Sequence, residues 1–178
     1  MMPFVHITPE RAAAAVLAVS VAILGSALLS QYAGGLDPCI LCLYQRVPYV
    51  ATISLSALAL MAATALPDLR TRALTQGVLI ACSLAFATGA GIALFHVGVE
   101  QGWWKGTESC SALSGIGLTI EELREKLLST PRVVRCDEVQ WSLFGISMAG
   151  YNFLASLVLA GASLWFAREL GRRAQQNS

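Results

Sequence analysis

"LDPCILCLYQRVPYVATISLSALALMAATAL" (Leu36–Leu66) decides the fold. Its second part, Val47–Leu66, carries no charge. A helix needs roughly 20 apolar residues to cross the hydrocarbon core of a bilayer, and this run has that length. Its first part sets two thiols, Cys39 and Cys42, behind an Asp-Pro turn signal. Arg46 follows about one helical turn later. A dithiol and a fixed positive charge thus stand at the mouth of a membrane helix.

Working outward, three more charge-free runs emerge: Ala12–Ser30, Ala73–Phe95 and Leu143–Ala167. The chain of 178 residues is 56% hydrophobic and 13% charged, against about 25% charged for an average soluble domain. Backbone groups in hydrocarbon must be bonded internally, so each run reads as a helix. The first run exceeds the ~7–15 residues of a signal-peptide core, and no clear A-x-A site precedes Gly34, so it reads as a span. The expected fold is an all-α membrane protein. It is a single domain over 1–178, with spans near 12–30, 47–66, 73–97 and 143–167 and two extracytoplasmic loops. The short link Pro67–Arg72 makes helices two and three antiparallel neighbours. A net charge of +1 without a basic stripe gives no sign of a nucleic-acid partner.

Helix three repeats small residues at Ala81, Ala85, Gly89 and Ala93, a spacing that lets helices approach closely in lipid. Asn152 and Gln76 are polar side chains in or beside spans, expected to hydrogen-bond within the bundle. Of the 12 Lys and Arg, Arg11, Arg70, Arg72, Arg168, Arg172 and Arg173 fall on one side. Arg46, Lys105, Arg124, Lys126, Arg132 and Arg135 fall on the other. The first group is denser near span ends, so the positive-inside rule puts both termini in the cytoplasm. Within the long second link, Leu118–Leu128 reads as a short amphipathic helix, with Thr119 and Glu122 as a capping box. Ile116, Ile120, Leu123 and Leu127 give it a helical apolar stripe. It packs on its own protein or lies on the bilayer surface.

Of five cysteines, Cys39 and Cys42 occupy the first link, Cys110 and Cys136 the second, and Cys82 the interior of helix three. Two spans separate the links, so the four link thiols share one face of the membrane. Three readings compete. As structural bridges, Cys110–Cys136 would close a useful loop, but a Cys39–Cys42 bridge closes too small a loop to stabilise much. As a zinc site, the cysteines should come in two close pairs, and only the first pair is close. As a thiol–disulfide exchange centre, the first pair is well placed. If helix two begins near Cys42, its N-terminal amides favour an anion there, and Arg46 lies one turn on. Both effects lower a thiol pKa. Arg46 alternatively marks the edge of the span. A soluble partner does not require a dithiol at the membrane, whereas a lipid-soluble electron acceptor does. The rival from another class is a non-enzymatic four-span protein braced by loop disulfides. No metal ligands are assigned from the sequence, and Cys82 reads as an inert small hydrophobe.

"PCILCLYQR", "FHVGVEQGW" closing helix three, "SCSAL" and "RCDEVQWSLFGISMAGYNF" together resemble the DsbB family of disulfide bond formation proteins, from first span to last. Vitamin K epoxide reductase relatives place the loop cysteines before the CxxC; here the CxxC comes first. The resemblance implies a bacterial inner-membrane four-helix protein. Such a protein reoxidises a periplasmic thioredoxin-fold partner of the DsbA type and passes two electrons to a quinone, ubiquinone or menaquinone. It implies that Cys110 is attacked by the partner's thiolate, that Cys136 then attacks Cys39, and that Cys42 is left as a thiolate facing the quinone. Arg46 resembles the family's quinone-site arginine, and His96 a histidine near that site. His96 and Glu100 share a face if helical. They read either as proton donors to the quinone or as an interfacial polar pair. Trp103 and Trp104 read as interfacial anchors.

Overall fold

The computed structural model of the chain describes residues 8–65, 67–107, 110 and 134–176. Five helices are described: α1 (Pro9–Tyr32), α2 (Ile40–Tyr44), α3 (Val47–Ala65), α4 (Asp68–Glu100) and α5 (Met148–Gln176). A two-stranded hairpin, β1 (Ser142–Leu143) and β2 (Ile146–Ser147), precedes α5. Among the described residues, four stretches are long and apolar enough to cross a membrane: Pro9–Tyr32, Ile40–Ala65, Arg70–Glu100 and Met148–Arg173. The chain is therefore a mostly helical, multi-pass membrane protein, in keeping with the expected four-helix bundle. The amphipathic segment expected at Leu118–Leu128 lies outside the described residues.

Each boundary has a local cause. Thr8 caps α1 by accepting from the Arg11 amide at 3.3 Å, and Pro9 opens the helix. The second span begins at Ile40, not near Val47, and is broken at Gln45–Arg46 between α2 and α3. Pro48 has no N–H to donate back one turn, which accounts for the break. α4 starts directly after Pro67, so Arg70 and Arg72 extend the third span below its apolar stretch. The last span starts at Met148, not Leu143. The residues between form the hairpin, paired Ser142↔Ser147 and Leu143↔Ile146. Its two turn residues, Phe144 and Gly145, have φ of 50° and 77°, the left-handed geometry of a tight hairpin turn.

α4 is the central element and packs against α5, α3 and, less extensively, α1. The core is built from all four spans: Ala12 and Val16 of α1, Tyr49 of α3, Leu79, Cys82 and Phe86 of α4, and Ala167 and Leu170 of α5. Gly89 shows what the small-residue stripe does. A Cβ there would lie 3.3 Å from the Pro48 ring and 3.6 Å from Ser156 Oγ, so glycine lets α4 approach both neighbours. Hydrogen bonds join the spans where lipid offers no competing partner. Ser20 and Thr52 meet at 3.0 Å between α1 and α3. Ser83 donates to the Ala160 carbonyl at 2.9 Å between α4 and α5.

Candidate active site

The Asp37-Pro38 turn cannot continue a helix, so helical geometry begins just beyond it. The N-cap falls on Cys39, whose sulfur accepts from the Cys42 amide at 3.4 Å. The helix therefore begins at Ile40, earlier than the Cys42 start considered from sequence, and its end stabilises charge on Cys39. The Cys39 and Cys42 sulfurs are 3.1 Å apart and unbonded, close enough to share a proton. His96 Nε2 lies 3.5 Å from Cys39 Sγ. The hydrogen bond from Cys42, with further help from His96 and the Cys42 amide, holds Cys39 well below the ordinary thiol range. It does so against the opposing effect of burial.

His96 belongs to a directed chain of polar groups. Its Nδ1 accepts from Gln45 Nε2 at 2.8 Å, and Gln45 Oε1 accepts from Asn152 Nδ2 at 2.6 Å. Asn152 Oδ1 accepts from the Tyr49 hydroxyl at 2.6 Å, which also meets Ser156 Oγ at 3.0 Å. This order leaves the ring proton on Nε2, the nitrogen facing Cys39. Glu100 Oε1 lies 3.9 Å from Nε2, and the His96 and Glu100 side chains are only 5% and 6% exposed. Glu100 is held from the hairpin side by the Ser147 hydroxyl. The sequence pairing of His96 with Glu100 on one face is thus present, and both are deep in the site.

Cys110 and Cys136 form a disulfide with a Cα–Cα distance of 5.1 Å. Both are buried in one cluster with Cys39, Leu41 and Val99, and Cys42 packs at its edge. All four link cysteines therefore converge, one pair bonded and the other not. Gly106 permits this closeness, since a Cβ there would lie 2.9 Å from the Cys110 Cβ. Arg135 forms a bidentate pair with Asp137, through Nε to Oδ1 at 2.9 Å and Nη2 to Oδ2 at 2.6 Å. That pair brackets Cys136 on the exposed side.

Beside the thiols is a cavity of about 600 Å³, bounded by α1, the α2–α3 break and α5. Cys42 and Arg46 are both on its wall, with Tyr151 and Asn152 opposite and Ile23, Leu24 and Met148 as apolar lining. Arg46 Nη1 donates to Gln31 Oε1 at 2.7 Å, which ties the guanidinium to α1. A second, smaller cavity touches Cys39, Cys42, His96 and Glu100 and reaches Arg135 and Glu138 of the outer segment. The ligating atoms of Cys39, Cys42 and His96 lie within 4.8 Å of one another.

Two participants, Gln45 and Tyr49, give no separate signal in the sequence, whereas Asn152, expected to hydrogen-bond within the bundle, does so with both of them. The usable clue is that each is polar within or beside an apolar span, where a partner is obligatory. Trp104, expected as an interfacial anchor, makes specific contacts with the end of α4. It stacks on Phe95 at 5.8 Å and donates to the Phe95 carbonyl at 2.9 Å, folding back over the end of α4.

A family model described as "Disulfide bond formation protein DsbB" matches residues 9–166. The chain is 35% identical over 143 residues to a "Disulfide bond formation protein B 2" of Pseudomonas syringae pv. syringae, covering 78% of this chain and 76% of that one. It is 30% identical over 173 residues to a "Disulfide bond formation protein B" of Chromobacterium violaceum, covering 94% and 96%. It is also 28% identical over 145 residues to an "Uncharacterized protein RP370" of Rickettsia prowazekii, covering 80% and 78%. No solved structure matches the chain.

Proposed function

The chain belongs to the DsbB family of disulfide bond formation proteins, and from that premise we propose that it is a quinone-dependent thiol oxidase of the bacterial inner membrane. Its reductant is a periplasmic thioredoxin-fold protein of the DsbA type. Both termini lie in the cytoplasm and the four link cysteines face the periplasm. The observation that carries this reading is the shared wall: Cys42 and Arg46 line one apolar cavity, while Cys39 is packed with the Cys110–Cys136 disulfide.

The steps balance as follows. A partner thiolate attacks Cys110, forming a mixed disulfide and releasing Cys136 as a thiolate. The partner's second thiol then resolves the mixed disulfide, leaving the partner oxidised and Cys110 and Cys136 reduced. Cys136 attacks Cys39 of an oxidised Cys39–Cys42 pair, and Cys42 leaves as a thiolate. Cys110 then closes on Cys136, restoring that disulfide and leaving Cys39 and Cys42 as a dithiol. That end point has the bonding seen here, with the loop pair joined and the CxxC open. Reoxidation of the dithiol releases two electrons and two protons, for which a bound quinone is the sink.

The residues around the cavity have separable tasks. Arg46 offers a fixed positive charge to an oxygen that gains electron density. Gln45 and Asn152 hold His96 with its Nε2 proton toward the sulfurs. In this tautomer His96 donates its Nε2 proton toward the sulfurs, and Glu100 is the group able to take up and pass on a proton; the smaller cavity connects both to the outer segment. The structural-brace alternative accounts for the Cys110–Cys136 bond but gives no role to an unbonded Cys39–Cys42 pair beside a histidine.

The test is oxidation of a reduced thioredoxin-fold periplasmic protein by the purified chain, with and without ubiquinone or menaquinone. The expected result is quinone-dependent turnover that disappears in Cys42→Ser. Turnover indifferent to quinone, or retained in Cys42→Ser, would overturn the reading.

A further inference from the structure

We propose that the reduced Cys39–Cys42 pair and His96 together form a binding site for a soft divalent metal ion of the zinc class. Zinc takes thiolate at about 2.3 Å and imidazole nitrogen at about 2.0–2.1 Å in a tetrahedron. Those lengths imply sulfur–sulfur and sulfur–nitrogen edges of about 3.8 Å and about 3.6 Å. The observed separations are 3.1 Å between the sulfurs and 3.5 Å from Cys39 Sγ to His96 Nε2. All three ligating atoms lie within 4.8 Å of one another. Binding requires the sulfurs to spread from 3.1 Å toward about 3.8 Å, and the Cys42–His96 edge, which lies within 4.8 Å, to settle near about 3.6 Å.

The surroundings complete the site. A metal-bound histidine normally has its other ring nitrogen fixed by a hydrogen bond. Gln45 already occupies that position on Nδ1. Metal at Nε2 moves the ring proton to Nδ1, so Gln45 must present its carbonyl instead. Turning the Gln45 amide is tolerated because Asn152 can turn with it. The last member, the Tyr49 hydroxyl, both donates and accepts, and has Ser156 as its second partner. The fourth position faces the small cavity, where Glu100 Oε1 lies 3.9 Å from His96 Nε2 and there is room for a water. Two thiolates and a divalent ion make a neutral unit, which lowers the cost of burial.

This site differs from the two-pair zinc arrangement weighed in the sequence. It takes one close cysteine pair and a histidine from another span, and leaves Cys110 and Cys136 out. Metal and disulfide exclude each other, because the same sulfur electron pairs serve both. Binding therefore holds the pair reduced. That consequence rests on the proposed electron path, whereas binding itself does not.

The experiment uses the full chain carrying Cys110→Ser and Cys136→Ser, reduced, without partner or quinone. Zn²⁺ is titrated against a competing chelator, and Co²⁺ serves as the optical probe. The expected result is one equivalent of metal, with thiolate-to-cobalt charge transfer and tetrahedral d–d absorption. Affinity should fall at least tenfold in His96→Ala and in His96→Asn, the latter keeping a hydrogen-bonding group toward Gln45. Oxidising the pair should abolish binding. Failure to bind one equivalent, affinity unchanged in whichever His96 variant folds, or binding retained after oxidation would each overturn the proposal. In the native chain, Zn²⁺ should block turnover and chelator should restore it. Loss of that effect with binding intact would count against the proposed electron path and leave the site standing.

Discussion

At the scale of single residues, Arg46 is the sharpest case. The sequence placed it one turn beyond Cys42, and it stands on the same cavity wall although the helix breaks beside it. Replacing it with Gln removes the charge but keeps hydrogen-bonding capacity. The expected outcome is a rise of about tenfold in the KM for quinone, equivalent to about 1.4 kcal/mol of lost charge-assisted bonding. Exchange between reduced partner and the Cys110–Cys136 disulfide should stay at the native rate. Stopped-flow measurement of the two steps separates them, and equal slowing of both would refute this assignment. Arg135 offers a test by pH. Its guanidinium holds Asp137 below the ordinary carboxylate range. A carboxyl lowered in the folded state binds fewer protons than in the unfolded chain. Its link is thus intact above the ordinary carboxylate range and is lost as pH falls through the lowered value. In Arg135→Ala, the Asp137 titration should move up toward the ordinary range, followed by carboxyl ¹³C shifts. An unmoved titration would mean that Arg135 is not the cause.

At the scale of elements, the ends of the helices taught most. Four apolar runs were legible because a bilayer sets a length and excludes charge. The two starts that were misplaced share a cause. Arg46 interrupted the charge-free count, although the second span already begins at Ile40. Leu143 and Ile146 extended the count, although they belong to a hairpin. Hydropathy ranks residues by affinity for lipid and does not register hydrogen-bond geometry, so neither error was avoidable from apolar length alone. The hairpin also holds a conformational cost. Phe144 is 90% exposed with φ of 50°, a region that disfavours side chains with a bulky Cβ substituent. Phe144→Asn should therefore raise unfolding stability by about 1 kcal/mol, read from thermal midpoints in detergent. A lower midpoint would show that the ring contributes more than its backbone costs. Gly98 runs the other way, because a Cβ there would overlap the Trp104 ring. Gly98→Ala should expel that ring from Phe95, cost about 1–3 kcal/mol and shift tryptophan emission to the red. Unchanged emission and stability would contradict the packing described for the end of α4.

At the scale of the whole molecule, the site is assembled from segments far apart in the chain. The cysteines were legible by spacing and by the parity of the spans, which put four thiols on one face before any helix was placed. Gln45 and Tyr49 were not, and neither were the partners of Asn152, because that partnership depends on how α2, α3 and α5 rotate against one another. Sequence periodicity fixes which residues share a face but not which face meets which. The same packing isolates the fifth cysteine. Cys82 is 0% exposed in the core where all four spans meet, with Ser56 Oγ 3.9 Å from its sulfur. A pulse of membrane-permeant alkylating reagent should therefore leave Cys82 untouched in the native bundle and mark it only as fast as the helices part. Labelling at the rate of an open thiol would disprove that isolation. Cys82 is in effect a clock sealed inside the protein: its sulfur records how often the bundle comes apart.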